Sequence, residues 1–366
     1  MEEPGSKVTL KQVMVLLFCG LLSPMIRQVP RQTVEQGEAG GWLGPMLALP
    51  VFLLALWLLT ACFRRLPRGT GLSGLYEMAF GGVLGKAATA ATILWLLVLT
   101  GVGLRFYAED FISSIYLDTD LWLFLVGIML IVWWVCCRGI ATVCRMSQIF
   151  FYGLCAIVGL VLALGLSEVE VYHVWPFWLG GWEGVAGAAL PVLAVLGQCI
   201  PLLYSRDHLS KTQGGLGIAA AWFAALCLVL TVLECIMIGV FGWQTVERMQ
   251  MPFFSLAKEG SALNVVERLE SVVAGVWVFS DVALFSALIL AAKEMTKGLV
   301  RRVNGGWLIT GMSIAVVVLS VWIAPNRFQL RALWRGEIQM GNWVICYLLP
   351  FAACLVAMLR QGKRGK

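Results

Sequence analysis

Two carboxylates stand where the sequence otherwise reads as helix buried in lipid. Asp281 lies in the stretch ALNVVERLESVVAGVWVFSDVALFSALIL (262–290), and Glu234 lies in TVLECIMIGV (231–240). An ionised carboxylate at the centre of a bilayer costs at least ~2.5 kcal/mol on insertion scales. Such a group must face the bundle interior and hold a partner or a proton. Asp281 therefore admits three readings. It lines a ligand cavity, where it contacts an ammonium group or takes a coupling proton. It caps broken backbone or bonds a neighbouring span. Or the helix boundary lies elsewhere and it meets water. For Glu234, the other proton-coupling candidate, an interhelical hydrogen bond is the plainer role. No nucleophile–base pair, metal-ligand cluster or phosphate loop accompanies these acids, so the sequence does not read as an enzyme and no cofactor or metal is expected.

Spacing places Asp281 further. Eleven residues separate it from Glu270, about 1100° of helical rotation, or 20° past three full turns. The two acids share a face with Ala274, Trp277, Leu284, Phe285 and Leu288. At 1.5 Å per residue Asp281 lies ~16 Å along the axis from Glu270, near mid-membrane. Glu267, Arg268 and Glu270 read as a helix start, because acids in a first turn suit the helix dipole. Arg105 and Glu109 read as an i,i+4 helix pair.

The elements that must position these groups are membrane spans. The chain has 366 residues, 60% hydrophobic and 13% charged, with a mean hydropathy of +0.85. Soluble domains carry about 25% charged residues. Apolar runs long enough to cross ~30 Å of hydrocarbon recur along the whole length. They are continuous rather than alternating, which argues against a β-barrel. The fold class expected is an all-α polytopic membrane protein. Ten spans are placed at roughly 11–28, 42–63, 86–112, 121–137, 146–166, 185–204, 213–241, 270–291, 306–323 and 341–359. The start MEEPGSKVTLKQ lacks a basic region, so the first span is expected to be retained. With the N-terminus inside, inner segments hold 18 of the 27 Lys and Arg and outer segments 9. That bias puts both termini in the cytoplasm. The basic clusters read as topology signals and contacts with anionic membrane lipid. No basic aromatic patch outside the membrane suggests nucleic acid. The eleven Cys read as small apolar residues, and many Trp near span ends read as an interfacial belt.

Two spans look broken. The first reads VMVLLFCGLLSPMIRQVPRQ, with Pro24 and Pro30 inside it and Arg27 at its end. Pro24 has no N–H, so the Gly20 carbonyl loses its helical partner. The sixth, VAGAALPVLAVLGQCIPLLYS, carries Pro191, the Gly197–Gln198 pair and Pro201. Matched interruptions in corresponding halves point to a central site in an inverted-repeat transporter fold. Two proline kinks that only shape packing remain the alternative.

Several motifs resemble one family. VPRQTVEQGEAGGWLGPML (29–47) resembles its loop leading into the second span, and Arg105 falls near the end of the third. RGIATVCRMSQIF (138–150) resembles its fifth-span start through Gly139 and Arg145. VERLESVVAGVWVF (266–279) is similar to its ERxExxxxxxW block through Glu267, Arg268, Glu270 and Trp277. On these residues the chain is identified as a member of the spore-germination permease family, the B subunits of nutrient germinant receptors within the amino acid–polyamine–organocation superfamily.

The resemblance implies two inverted five-helix repeats in a single transmembrane domain over 1–366. Repeat one covers about 9–166 and repeat two about 183–323, followed by a final span at 341–359 and a basic tail. Spans one, three, six and eight would surround a small nutrient, often an amino acid. A larger A subunit and a lipoprotein C subunit would be its partners in the spore inner membrane, where binding triggers germination. The breaks and the resemblance together give the ligand candidates Ser23, Pro24, Met25, Gly197, Gln198, Trp277, Asp281 and Leu284. The sequence departs from the family where glycines are usual, at Ser23, Pro24 and Met25. It also departs at Gly41, in place of a loop acid, and at apolar Leu284 and Leu288. A proton-coupled amino acid permease is the alternative function.

Overall fold

The computed structural model describes residues 8–67, 70–114, 119–178, 180–204, 215–262, 269–300 and 304–364. At 114, 259–262, 269–271 and 361–364 it describes the backbone alone. The described residues are almost all helical, with no strand among them. In chain order the helices are α1 (Leu10–Gly37), α2 (Gly44–Arg64), α3 (Leu72–Phe80), α4 (Gly82–Ser114), α5 (Leu121–Cys137) and α6 (Ile140–Leu166). Then come α7 (Val171–Val174), α8 (Gly181–Gly187), α9 (Ala189–Gly197), α10 (Cys199–Tyr204), α11 (Gly215–Phe241) and α12 (Trp243–Arg248). The series closes with α13 (Pro252–Ala262), α14 (Leu269–Leu299), α15 (Gly305–Trp322), α16 (Arg327–Leu333), α17 (Gln339–Gly341) and α18 (Leu349–Arg364). Two π-helical stretches, Trp334–Ile338 and Asn342–Leu348, join α16, α17 and α18 into one final run.

Among the described residues, eight helical runs are long and apolar enough to cross a membrane. The first, Leu10–Arg64, contains both α1 and α2, and α5 is a shorter apolar helix beside these runs. A helix occupies each position where hydropathy predicts a span. The short helix α3 and the early start of the last run at Arg327 are additions.

α1 runs through the middle of the bundle and packs against α6, α9, α11 and α14. Its residues from Met14 to Ile26 are all buried, which is why this helix is apolar on every side. A capping box starts it: Gln12 N–H donates to Thr9 Oγ1 at 3.4 Å, and Thr9 N–H to Gln12 Oε1 at 2.9 Å. Gly20 lets α14 come close; a Cβ there would lie 3.1 Å from the Leu284 Cα. Gly139, with φ of +86°, makes the turn that begins α6, a conformation side chains resist.

Two expectations about α1 are corrected. The helix is not broken: it continues through Pro24 and Pro30 to Gly37. Pro24 and Pro30 each remove one donor, from the Gly20 and Ile26 carbonyls, and the helix continues past both. Ser280 Oγ donates to the Cys19 carbonyl, next to the one that Pro24 frees. Arg27 is also not at the outer end of the span but well inside the helix, and it is buried. The sixth span is interrupted as expected, though only by single-residue turns whose backbone stays right-handed helical. It divides into α8, α9 and α10, with turns at Ala188 and Gln198. At the second turn the Gln198 N–H donates to the Val195 carbonyl at 3.1 Å.

Candidate functional site

The polar interior is a ladder of alternating charge, anchored on α14. Asp281 Oδ1 accepts from Ser23 Oγ at 2.6 Å and from Arg27 Nη2 at 2.8 Å. Arg27 Nη1 lies 3.4 Å from Asp110 Oδ2 on α4. Asp110 Oδ1 in turn accepts from Arg327 Nη2 at 2.6 Å, and Arg327 also donates to Ser113. The side chains of Arg27, Asp110 and Asp281 are at most 4% exposed. Charges this deep are held only because each faces an opposite charge, and removing one partner would strand the other.

The ladder is not saturated. Both bonds to Asp281 fall on Oδ1, and its Oδ2 is buried without a hydrogen-bond partner, as is Arg27 Nε. An ammonium or a proton donor placed there would find a ready acceptor. The Trp277 ring centroid lies 5.9 Å from the Arg27 guanidinium, within cation–π range. Ala274, Trp277, Leu284, Phe285 and Leu288 are all buried on the Asp281 face, as the helical spacing predicts.

The structure brings Ser23, Trp277 and Asp281 together around Arg27. Pro24 and Met25 are buried beside them on α1, and Leu284 packs at Gly20. Gly197 and Gln198 lie apart, at the break between α9 and α10. There the Tyr347 ring covers Gly197, and its hydroxyl donates to the Leu193 carbonyl at 2.7 Å. Glu234 Oε2 accepts from Thr33 Oγ1 at 2.8 Å, an interhelical bond between α11 and α1, while Oε1 has no partner. Arg105 and Glu109 form the expected pair at 2.8 Å. Arg145 is exposed, Glu270 is described only as α14 backbone, and Glu267 and Arg268 lie outside the described residues.

Arg27, Asp110 and Arg327 are the ladder residues that sequence reasoning missed, and a signal for the two arginines existed. Ser23, Arg27, Arg31 and Glu35 recur at four-residue spacing, as do Arg327, Arg331, Arg335 and Gln339. Each series is one helix face. The two faces meet: Arg335 pairs with Glu35, and Gln339 donates to Gln32.

A cavity of about 250 Å³ lies between α1, α6 and α14, lined by residues including Cys19, Ser147, Phe150, Phe279 and Ser280. It is apolar and sits one residue from Asp281. Among the described residues no group of His, Cys, Asp and Glu is placed to hold a metal ion.

A family model described as "Spore germination protein" matches residues 7–328. No curated protein matches the sequence. Among solved structures the chain is similar to a Na+-coupled sialic acid symporter, captured substrate-bound in an outward-open state with a novel Na+ site. The TM-score is 0.68 at 12% identity, covering 94% of this chain and 80% of that one. At so low an identity the likeness shows a shared transporter fold, not a shared substrate.

Proposed function

The chain belongs to the spore germination protein family, and from that premise we propose that it is the nutrient-binding membrane subunit of a germinant receptor. It is a permease-like integral membrane protein. In this reading ten spans form two inverted repeats, about 9–166 and 183–323, with a final span and both termini in the cytoplasm. The end of the bundle where α1 finishes then faces outward from the spore inner membrane. A small nutrient, an amino acid by family resemblance, sits between α1, α4, the broken sixth span and α14. Partner A and lipoprotein C subunits read the resulting shift.

One observation carries this reading: opposite charges from three helices converge in a buried core, with Asp281 Oδ2 still open. A zwitterion offers an ammonium to that oxygen and a carboxylate to Arg27. Its binding would exchange contacts between α1, α4 and α14 for contacts with the ligand. A ligand shifts a two-state bundle only by binding the two states differently, and a ligand that breaks the ladder does so.

The test is paired binding and uptake in liposomes, with a panel of amino acids and a pH gradient. Saturable binding without accumulation is expected, with loss of binding in Asp281→Asn. Concentrative uptake would sink the receptor reading. It would favour the second one, a proton-coupled amino acid permease, for which the buried carboxylates of Asp281 and Glu234 speak. Uptake unchanged in both Asp281→Asn and Glu234→Gln would remove those residues as the coupling site.

A further inference from the structure

A second charge cluster lies beyond the ladder, where α1 finishes and α16 begins. Arg27 is matched by Asp281 and Asp110, Arg327 by Asp110 and Ser113, and Arg335 by Glu35. Arg331 is not matched in this way. It feels three like charges, Arg327, Arg31 and Arg335, against the single carboxylate of Asp110. That carboxylate already serves Arg27 and Arg327 at closer range. The hydrogen bond from Arg331 Nη2 to the Gln250 carbonyl is long, at 3.5 Å. Arg31, one turn above Arg27, feels Arg335 as well as Glu35 and Glu247. Its nearest acid on α1, Glu35, is taken by Arg335. The Arg31 Nε is buried with no hydrogen-bond partner.

Half-buried guanidinium groups that face one another repel, and an anion between them relieves that repulsion. We propose that Arg31 and Arg331 form an anion subsite at this mouth that takes a small carboxylate or phosphate group. The guanidinium fork matches the two oxygens of such a group, which a point charge does not. The site also couples to the ladder. An anion held by Arg331 shifts the balance at Arg327, which shares Asp110 with Arg27. The inference does not depend on the nutrient-receptor reading, because the subsite would bind an anion whether the chain senses or transports.

The experiment uses the full chain in dodecyl maltoside, with thermal unfolding followed against succinate at constant ionic strength, balanced by chloride. A saturable rise in Tm is expected. It should be lost in Arg31→Gln and in Arg331→Gln, and retained in Arg64→Gln, an exposed arginine at the other end of the bundle. Arg331→Lys keeps the charge without the fork and should weaken apparent affinity about tenfold, since the bidentate geometry supplies much of the energy. A second arm replaces succinate with phosphatidylglycerol. A response to the lipid alone, lost in the same two variants, assigns the subsite to a headgroup phosphate. No saturable response in either arm, or one that survives both substitutions to Gln, overturns the proposal.

Discussion

Pro24 and Pro30 lie inside an unbroken helix, whereas Pro191 and Pro201 flank a helix that stops at Gly197 and restarts at Cys199. The two spans carry the same sequence feature and resolve it differently. Along α1, the Ser280 hydroxyl reaches the Cys19 carbonyl beside the one that Pro24 frees, and the helical path is kept. Beside the sixth span, the backbone turns at Gln198, and the hydroxyl of Tyr347 takes the Leu193 carbonyl. Charge is divided just as unequally. α1 contributes Arg27 to a buried ladder, while α9 is apolar throughout. A proline by itself therefore does not decide whether the helix of a span stops.

The sharpest way to break this comparison is to remove charge from the α1 side. Asp281→Ala leaves Arg27 with only its longer contact to Asp110 and should cost up to about 3–5 kcal/mol of stability, read as a loss of unfolding free energy in detergent. The double variant Arg27→Met with Asp281→Leu should recover most of that loss. A double variant as unstable as the single one would show that the pair does not hold α1 to α14. On the other side, Tyr347→Phe removes the hydroxyl bond to the Leu193 carbonyl, at a cost of about 0.5–1.5 kcal/mol. Hydrogen exchange should rise at the α9–α10 junction and not along α1. A uniform rise along both spans would erase the contrast. Arg335→Gln should cost less than ~1 kcal/mol, because its pair with Glu35 is partly open to water. A larger loss would mean that the segment from Arg327 to Gly341 clamps α1 more firmly than its exposed ion pair implies.

Much of this fold is legible from hydropathy. Helices lie where continuous apolar runs of spanning length occur, because a helix satisfies its own backbone in lipid. Asp281 stands out for the same reason, as an acid inside such a run, and the helical period identifies the residues that share its face. Arg27 was hidden by the rule that a charge ends a span, which holds only where no opposite charge arrives from elsewhere. Its partner Asp110 adjoins Glu109, whose local pairing with Arg105 gave that segment a sufficient explanation. The Tyr347 contact with Leu193 joins residues 154 apart, and no local pattern announces it. What a single sequence withholds here is which helices are neighbours.

The final run touches both of the regions compared above. Through Arg335 and Gln339 it is tied to α1, and through Tyr347 to the sixth span. The second tie falls within the π-helical stretch Asn342–Leu348, which holds slack that a regular α-helix would not. Rewinding one residue of it would turn the following segment by about 100° and advance it by about 1.5 Å. Tyr347 would then swing away from Leu193 while the anchors at Glu35 and Gln32 stayed in place. The last helix is in this sense a strut between α1 and the sixth span, and its length is set by how many residues its loose turn retains.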